Sequence, residues 1–533
     1  LIQEVDWRTL DLSKQPPRNG GAWLVIGEEY LASAGSGSAW HWPAAGVRRL
    51  QSSCDRGRFL DALRTEQTER VLVIDAPPAE ACAPEAASYR CSRLLELINV
   101  LAEYDPAGRI ELTVVTHRAM AWQGSSASDA SGAVLWGLLR VVRSEHRSRR
   151  VRLIDLAERD LEQNEQLLAA LSASEDEVVL RDSRALSWSL QKPQPLTAPN
   201  PLALDANGTY LITGGFGALG QLLASHLLTG GAGAVALGGL NERPLLRTLR
   251  EAGERVRREL FDVRDLTMVQ QTVARLNRHD RPLRGVFHLA AVTEDCSSFR
   301  LSREVLDRVF SPKLIGAWNL HVATSESNLQ YFALYSSIAA WNGNPGQGGY
   351  AAASAGLATL AWLRWQQGQV ATLLDWGPWA GAGMFGRSTL AATVQGTHAS
   401  AALAALDWTL GRRVTGGHWL LAPASLVAPP LRAARLEPRN YSRRAAPTSR
   451  AEQIHAMAGA TLGLDTVDEQ KSLLELGLDS LMAVEIRARI SSELGITIPL
   501  ELLLSGGSIA DVIAFAAGSP NPAKKTSWVE GEL

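Results

Sequence analysis

A glycine-rich turn between a predicted strand and a predicted helix constrains this chain more than any other feature. The apolar run 209–212 is typical of a buried parallel strand, and the apolar spacing of 221–228 is helical. The turn between them is Thr213-Gly214-Gly215-Phe216-Gly217-Ala218-Leu219-Gly220. Glycines at this spacing let a phosphate group approach the backbone, and the N-terminus of the following helix supplies unpaired N–H groups. The segment therefore predicts a dinucleotide site, with an ordinary glycine-rich turn as the alternative.

Length and composition set the broad class of the protein. The 533 residues exceed the ~250–300 that a single core holds, so several domains are expected. A hydrophobic content of 46% is typical of globular proteins, and the net charge of −2 provides no basic surface for nucleic acid. The four cysteines form no C-x-x-C pair, which argues against a metal site or a disulfide framework. The sequence has no run of about 18 apolar residues, so we expect a cytoplasmic protein without a membrane partner.

Two α/β lobes account for most of the chain. Residues 1–195 alternate between strand-like runs (23–26, 70–74, 111–115 and 151–155) and helical runs (92–104 and 134–144). No glycine turn follows the first strand, so this lobe is predicted to be structural rather than a second cofactor site. Residues 196–426 repeat the pattern, with strands predicted at 210–213, 234–237, 258–261, 285–289, 332–336 and 371–375. The predicted fold class is α/β, with two doubly wound Rossmann-like lobes joined by the proline-containing segment 186–207.

The C-terminal part of the chain has a different character. Residues 427–450 predict a linker, residues 451–519 a small domain of the four-helix type, and residues 520–533 a flexible tail. Ten acidic and only three basic side chains lie between 451 and 518, whereas the rest of the chain has a net positive charge. Opposite charges favour weak, reversible docking of this domain on the lobes, unless the two surfaces are unrelated.

Three polar residues downstream of the glycine turn suggest acid–base chemistry. Ser337 follows a strand-like run, Tyr350 lies thirteen residues later at the start of a small-residue helix, and Lys313 lies on a preceding helix. A phenol with a pKa near ~10 is a poor acid or base unless a nearby ammonium group stabilises the phenolate. Taken one at a time, these residues also have structural explanations: a strand-end cap, a packed helix residue and a solvated charge.

Several segments resemble the ketoreductase domain of modular polyketide synthases, which belongs to the short-chain dehydrogenase superfamily. They are TGGFGALG at 213–220, FALYSSIAAWNGNPGQGGYAAAS at 332–354, LLDWGPWAGAGM at 373–384 and, in the N-terminal lobe, DASGAVLWGL at 129–138. The resemblance covers residues from about 5 to 420 and implies reduction of a β-ketoacyl thioester with NADPH. It implies that Tyr350 donates the proton, that Lys313 supports Tyr350 and that Ser337 binds the substrate carbonyl. Ser354 stands where the family usually has Asn.

The resemblance also implies which residues bind the nucleotide. They are Thr213, Gly214, Gly215, Phe216, Gly217, Leu219, Gly220, Arg243, Asp262, Val263 and Ala290. Phe216 replaces a small or hydroxylic residue of the family. The segment 237–243 lacks the Ser-Arg pair that grips the 2′-phosphate of NADPH, so only Arg243 could serve, from a displaced position. An active reductase is the main interpretation. These departures and Ser354 favour the alternative, a redox-inactive remnant that acts as a scaffold.

Two finer expectations depend on the resemblance alone. Asp295 holds the diagnostic place of a Leu-Asp-Asp motif, and Leu334 stands where the opposite class carries Trp. Together they imply a B-type enzyme and a D-configured β-hydroxyl product. In this family an enoylreductase, when present, is inserted between the two lobes, and the short segment 186–207 leaves no room for one.

The string GLDSLMAVE at 477–485 resembles the phosphopantetheine attachment motif of acyl carrier proteins. It implies 4′-phosphopantetheine on Ser480, although Asp-Ser before an apolar run is also a good helix cap. Leu478, Leu481, Met482 and Val484 are expected to be core or docking residues. The implied partners are the β-ketoacyl chain on the carrier domain, the ketosynthase and acyltransferase domains of the same synthase, a phosphopantetheinyl transferase and a downstream module. A free-standing dehydrogenase for soluble ketones is a third interpretation, but it leaves this motif unexplained.

Overall fold

The computed structural model describes residues 2–11, 22–27, 47–65, 68–75, 83–105, 107–120, 129–146, 149–157, 164–181, 184–191, 202–381, 396–411, 416–423, 426, 449–462, 467–473, 475–476, 478, 486–487, 489–490, 494, 496, 498, 502–503 and 507–517. The chain separates into two compact units. The first comprises Leu1–Val100 and Arg109–Arg432, and the second comprises Leu101–Gly108 and Ala433–Leu533.

The described strands are β1 (Ile2–Leu10), β2 (Ala22–Ile26), β3 (Val47–Leu50), β4 (Thr68–Asp75), β5 (Glu111–His117), β6 (Val151–Leu156), β7 (Glu177–Arg181), β8 (Arg184–Gln191), β9 (Thr209–Thr213), β10 (Ala234–Gly239), β11 (Val256–Leu260), β12 (Leu283–His288), β13 (Tyr331–Ser337), β14 (Ala371–Trp376) and β15 (Gly416–Leu421). The described α-helices are α1 (Arg56–Thr65), α2 (Ala87–Tyr104), α3 (Ala130–Glu145), α4 (Asn164–Ser172), α5 (Ala218–Thr229), α6 (Arg247–Glu251), α7 (Leu266–Asn277), α8 (Arg303–Phe310), α9 (Gly316–Ala323), α10 (Ala339–Asn342), α11 (Gly348–Gln366), α12 (Ala399–Leu410), α13 (Arg450–Leu462) and α14 (Ile509–Ala516). Within these ranges, no helix combines the length and the apolar character needed to cross a bilayer.

All fifteen strands belong to one sheet, in the order β11-β10-β9-β12-β13-β14-β15-β1-β8-β7-β6-β5-β4-β2-β3. The half from β11 to β15 is parallel and has the strand order of a nucleotide-binding Rossmann fold. The half from β7 to β3 is also parallel. Strands such as β6 and β9 are buried along their whole length, because helices cover both faces of the sheet. The predicted α/β class with two doubly wound lobes is confirmed, and each predicted strand is present with small shifts at its ends.

Strand β1 joins the two halves of the sheet. It pairs antiparallel with β15 on one side and with β8 on the other, where Trp7 lies opposite Trp188. The prediction of a linker at 186–207 is wrong for its first part, because β8 continues to Gln191. The alternating apolar and polar side chains of this stretch suit an antiparallel strand. Residues 192–201 of the predicted linker lie outside the described residues.

Helices α3 and α11 pack closely against each other and connect the two lobes. A Cβ atom at Gly137 would lie 2.3 Å from the carbonyl oxygen of Ala351, so this approach requires glycine. A Cβ atom at Gly356 would lie 3.0 Å from Cγ1 of Val134. The small residues that the sequence places after Tyr350 are therefore explained by the contact between these two helices.

Arg140 on α3 connects the lobes through charge as well as packing. Its guanidinium forms a bidentate pair with buried Glu177 (3.0 and 2.7 Å) and donates to the Ala340 carbonyl of the second lobe at 2.7 Å. It also lies 4.5 Å from the ring centroid of Trp341. Burial opposes ionisation of Glu177, but the charges of Arg140 and Arg143 outweigh it and lower the pKa of Glu177 to about 2.

The second unit has its own hydrophobic core, to which Ile454 and Met457 of α13 and Ile509 and Val512 of α14 contribute. A capping box begins α14: the Ser508 hydroxyl accepts from the Asp511 N–H, and the Asp511 carboxylate accepts from the Ser508 N–H. Leu478 is 4% exposed in this core, as predicted. Outside the described residues lie Ser480, Leu481, Met482, Val484, most of the predicted linker (427–448) and the predicted tail.

Arg140→Ala should destabilise the first unit by about 3–5 kcal/mol, because Glu177 would keep its buried charge and lose its bidentate partner. Arg143→Ala is the matched control. Arg143 bonds to the same carboxylate but is more exposed, so its loss should cost less. Urea denaturation followed by tryptophan fluorescence measures both variants. Equal losses would contradict the particular role of Arg140.

Candidate active site

The glycine turn lies where the sequence predicts, between the end of β9 and the start of α5. Gly214 has a φ of +66°, which favours glycine. A Cβ atom at Gly215 would lie 2.6 Å from the Ile212 carbonyl oxygen, and one at Gly220 would lie 2.6 Å from the Gly214 carbonyl oxygen. Gly217 caps α5 without a side-chain bond, which leaves the first N–H groups of the helix to a ligand. The turn therefore fits a pyrophosphate group.

Phe216 packs against the last residue of β10, Gly239. Its side chain is 4% exposed and packs in the core of the second lobe. A Cβ atom at Gly239 would lie 3.1 Å from Cδ2 of Phe216, so the ring and a side chain at position 239 would compete for the same space. The aromatic residue in the turn therefore packs tightly against the glycine that ends β10. Arg243 and Leu240 are both exposed on the loop after β10.

The other residues predicted to bind the nucleotide follow the strands on either side of β9 and β10. Asp262 and Val263 come after β11, and Ala290 comes after β12. The Asp262 carboxylate accepts two bonds from the Arg264 guanidinium (2.9 and 2.6 Å), and this hydrogen bonding lowers the pKa of Asp262. The Ala290 N–H lies 3.4 Å from Oγ1 of Thr213. Because the carboxyl ends of parallel strands share one edge of a sheet, the structure brings the predicted nucleotide positions together along that edge.

Lys313 and Tyr350 form the centre of the candidate site. Lys313 is 1% exposed, and its Nζ lies 4.1 Å from the centroid of the Tyr350 ring. Tyr350 is half-buried in the first turn of α11. Lys313 lies in a π-helical turn (Ser311–Ile315) between α8 and α9, not in the regular helix that the sequence predicts. The difference has a physical cause, since Pro312 has no N–H to donate to the helical ladder.

The two serines of the predicted site have different surroundings. Ser337 ends β13, and its hydroxyl oxygen accepts the Ala339 N–H at 3.2 Å, so the hydroxyl keeps its proton for a second partner. Ser354 is 1% exposed, and its hydroxyl donates to the Tyr350 carbonyl oxygen at 2.7 Å. Ser354 therefore supports the helical turn that carries Tyr350.

His288 lies between the glycine turn and Lys313, and no sequence pattern singled it out. Its Nε2 lies 2.8 Å from the Lys313 carbonyl oxygen, and its Nδ1 lies 2.8 Å from Oγ1 of Thr213. A carbonyl oxygen can only accept, so Nε2 carries the proton and Nδ1 accepts the Thr213 hydroxyl. Burial lowers the pKa of His288 to about 4, so the ring is neutral at pH 7. The available signal was a polar residue directly after the buried apolar pair Val286 and Phe287 at the end of β12.

Asp295 lies on the exposed loop after β12. Its carboxylate accepts a bond from Nε2 of Gln347 at 3.2 Å, and the Cys296 N–H donates to the Gly346 carbonyl oxygen at 2.8 Å. The loop therefore lies against the segment that leads into Tyr350. Leu334, the other residue used for the stereochemical expectation, is buried in β13.

Three family models match the chain: "KR domain" at residues 208–381, "Polyketide synthase extender module SpnB, Rossmann fold domain" at 5–190, and "Phosphopantetheine attachment site" at 452–516. The spectinabilin polyketide synthase system protein NorA′ of Streptomyces orinoci is 35% identical over 454 residues, which are 76% of this chain and 12% of that protein. A phenolphthiocerol/phthiocerol polyketide synthase protein of Mycobacterium tuberculosis is 31% identical over 464 residues, 77% of this chain and 25% of that protein. The chain thus spans a quarter or less of the length of these two relatives.

Solved ketoreductases share the architecture. A structure of A-type ketoreductases from a modular polyketide synthase has a TM-score of 0.68 and 27% identity, and the match covers 79% of this chain and 92% of that one. A C2-type ketoreductase from a modular polyketide synthase has a TM-score of 0.67 and 25% identity, with 79% and 94% covered.

Lowering the pH from 6.5 to 5 should destabilise the first unit through His288. The folded state holds this ring at a pKa of about 4, whereas an unfolded histidine has a pKa of ~6.5. Between these values the unfolded state binds more protons, so stability is lost as the pH falls. His288→Asn should reduce the slope while keeping an acceptor for Thr213, and the remaining slope comes from His146 and His321, whose pKa values burial also lowers to about 4. Urea unfolding at several pH values measures this, and an unchanged slope in the variant would contradict it.

Proposed function

Because the chain is a ketoreductase–acyl carrier pair of the modular polyketide synthase family, we propose that it reduces a β-ketoacyl thioester held on its own carrier domain to a β-hydroxyacyl thioester. Ketoreductase domains bind NADPH, and phosphopantetheine attachment domains carry 4′-phosphopantetheine. The observation that carries the proposal is the buried Lys313 ammonium group, 4.1 Å from the centroid of the Tyr350 ring.

Three side chains have different roles in the proposed reduction. The Ser337 hydroxyl donates to the ketone oxygen and orients the carbonyl carbon. NADPH, when bound on the glycine turn, supplies the hydride. Tyr350 donates its phenolic proton to the developing alkoxide, and Lys313 stabilises the phenolate that remains. Because Lys313 is buried, its charge acts in a medium of low dielectric, where it is worth more than in water.

The features that favoured a redox-inactive remnant have structural explanations that are compatible with activity. Ser354 still makes a hydrogen bond, to the Tyr350 carbonyl. Gly239 accommodates the Phe216 ring, and the glycine cradle beside it keeps its close backbone approaches. We therefore favour an active reductase over a scaffold.

The stereochemical proposal is a B-type reductase that forms a D-configured β-hydroxyl group. It depends on Asp295, whose carboxylate is bonded to Gln347 next to the Tyr350 helix, and on buried Leu334. Solved structures similar to this chain include A-type and C2-type ketoreductases, so the shared fold is compatible with more than one class.

The carrier domain defines the proposed substrate class and partners. A thioester arm on Ser480 would hold the ketone near the reductase at an effective concentration of ~mM. A phosphopantetheinyl transferase would attach the arm, ketosynthase and acyltransferase domains of the same synthase would load it, and a downstream module would accept the product.

The first experiment mixes the purified chain with a β-ketoacyl N-acetylcysteamine thioester and NADPH and follows the cofactor absorbance. Tyr350→Phe should lower the rate by about 10²-fold or more, because it removes the acidic proton and keeps the ring beside Lys313. Tyr331→Phe is the control, since that hydroxyl bonds to the Ala203 carbonyl at 3.1 Å at the other end of β13. A wild-type protein that neither consumes nor binds NADPH would support the scaffold alternative.

Two readouts test the finer proposals. Chiral analysis of the product should give the D-β-hydroxyl enantiomer, and the L enantiomer would contradict the B-type assignment. Ser480→Ala should prevent addition of the arm, seen by intact mass, and leave reduction of the soluble thioester unchanged. Retained arm attachment in this variant would contradict the assignment of Ser480.

A further inference from the structure

Glu145 lies at the end of α3, in the lobe without a glycine turn, and bonds to the other lobe. The residue is 5% exposed. One carboxylate oxygen, Oε1, accepts the Gly346 N–H at 2.7 Å, and the other, Oε2, accepts the Ser298 N–H at 2.9 Å. A single buried carboxylate therefore holds two separate backbone segments of the second lobe.

These segments flank the candidate active site. Ser298 lies three residues after Asp295, and Gly346 lies four residues before Tyr350. The segments also bond to each other, through Cys296 N–H to the Gly346 carbonyl and through the Gln347 side chain to Asp295. Gly346 has a φ of +80°, so the second segment turns sharply where Glu145 holds it.

We propose that Glu145 is a positioning residue of the reductase, which fixes the Asp295 loop to the start of the Tyr350 helix and so sets how the ketone faces the phenol. An ionised carboxylate suits this role because each oxygen accepts a charge-assisted hydrogen bond. A glutamine of the same shape has one oxygen and would turn an NH₂ group towards the second N–H donor. The inference rests on the proposed reduction, and it assigns the N-terminal lobe a role in that reaction.

Glu145→Gln in the whole chain is the test. Losing one charge-assisted bond should lower kcat for the soluble thioester about tenfold to hundredfold and reduce the excess of one product enantiomer. The KM for NADPH should stay within about twofold, because the glycine turn and the ends of β9 to β12 do not depend on this bond. A smaller folded fraction would also lower the apparent kcat at an unchanged KM, so the enantiomer ratio, which does not depend on how much enzyme is folded, separates positioning from stability.

Cys296 supplies a readout that needs no turnover. Burial raises the pKa of its thiol, and the nearby Glu145 charge adds to this effect. Cys296 also lies in the loop that Glu145 holds, and its N–H donates to the Gly346 carbonyl oxygen at 2.8 Å. Both the lost charge and release of this loop should therefore speed alkylation of Cys296 by iodoacetamide in Glu145→Gln, measured on the Cys296 peptide by mass spectrometry. If the wild-type chain shows no reduction at all, the proposed function fails, and Cys296 alkylation in Ser298→Pro, which keeps the Glu145 charge and removes one N–H donor to it, decides whether Glu145 holds the loop.

Asp129→Asn is the matched control, since it also converts a buried acid to its amide on the same helix. Asp129 caps the other end of α3 and pairs with Arg90 at 2.6 Å. It should lower stability without changing the enantiomer ratio or the alkylation of Cys296. The inference is wrong if Glu145→Gln leaves these readouts unchanged, or if Asp129→Asn reproduces its effects.

A second variant keeps the test usable if Glu145→Gln does not fold. Ser298→Pro removes the N–H that donates to Oε2 and also the hydroxyl, which lies 3.5 Å from Nε2 of His146. Ser298→Ala, which loses only the hydroxyl, is its control. Ser298 begins a 3₁₀ turn after the extended backbone of Ser297, which is a position that accepts proline. The enantiomer ratio and Cys296 alkylation should change in the same direction, and the inference is wrong if neither does.

Discussion

The buried ammonium group of Lys313 is the constraint on which the active site depends. Taking a charge out of water costs several kcal/mol unless other groups replace the solvent. The face of the Tyr350 ring replaces part of the solvent around the Lys313 ammonium group, and the same contact keeps the phenol beside this cation. His288 fixes the Lys313 backbone to Thr213 and thereby to the glycine turn. One chain of contacts thus connects Tyr350, Lys313 and the glycine turn.

The two lobes share an architecture but differ in which groups they bury and which contacts they make. The second lobe keeps the glycine turn, whereas the first lobe holds buried ion pairs such as Arg140 with Glu177 and side chains that bond to the second lobe. Arg140 and Glu145 lie on one helix, α3, and both bond to backbone of the second lobe. Close packing of α3 on α11, which requires Gly137, brings these charged groups within reach. The lobe without a nucleotide turn is therefore part of the frame that holds Tyr350.

The parts of the fold that local pattern determines could be predicted from the sequence. Buried parallel strands are apolar runs, and the turn before α5 needs glycine for its backbone, so both are visible locally. The sequence could also bring Lys313 and Tyr350 into one hypothesis through their motif, although not the π-helical turn that Pro312 causes. Strand β1 was missed because its apolar residues Ile2, Val5, Trp7 and Leu10 form neither a continuous run nor a strict alternation. Glu145 was missed because its partners lie more than 150 residues away. Contacts of this kind depend on the assembled fold and leave no local pattern.

The position of β1 has a consequence for the order in which the protein forms during synthesis. β1 can pair with β8 once residue 191 has been synthesised. Its other edge stays unpaired until β15 has been synthesised, because Ile2 pairs with Leu421 of that strand. At about 5–20 residues per second, the ribosome needs on the order of tens of seconds to supply that partner. For this time β1 is an open edge with unpaired N–H and C=O groups, which is the kind of surface that pairs with other chains. The polar residues Gln3, Glu4, Asp6 and Arg8 interrupt the apolar side chains of β1, and charged residues on an open edge are a feature that disfavours pairing with other chains until the second lobe closes the sheet.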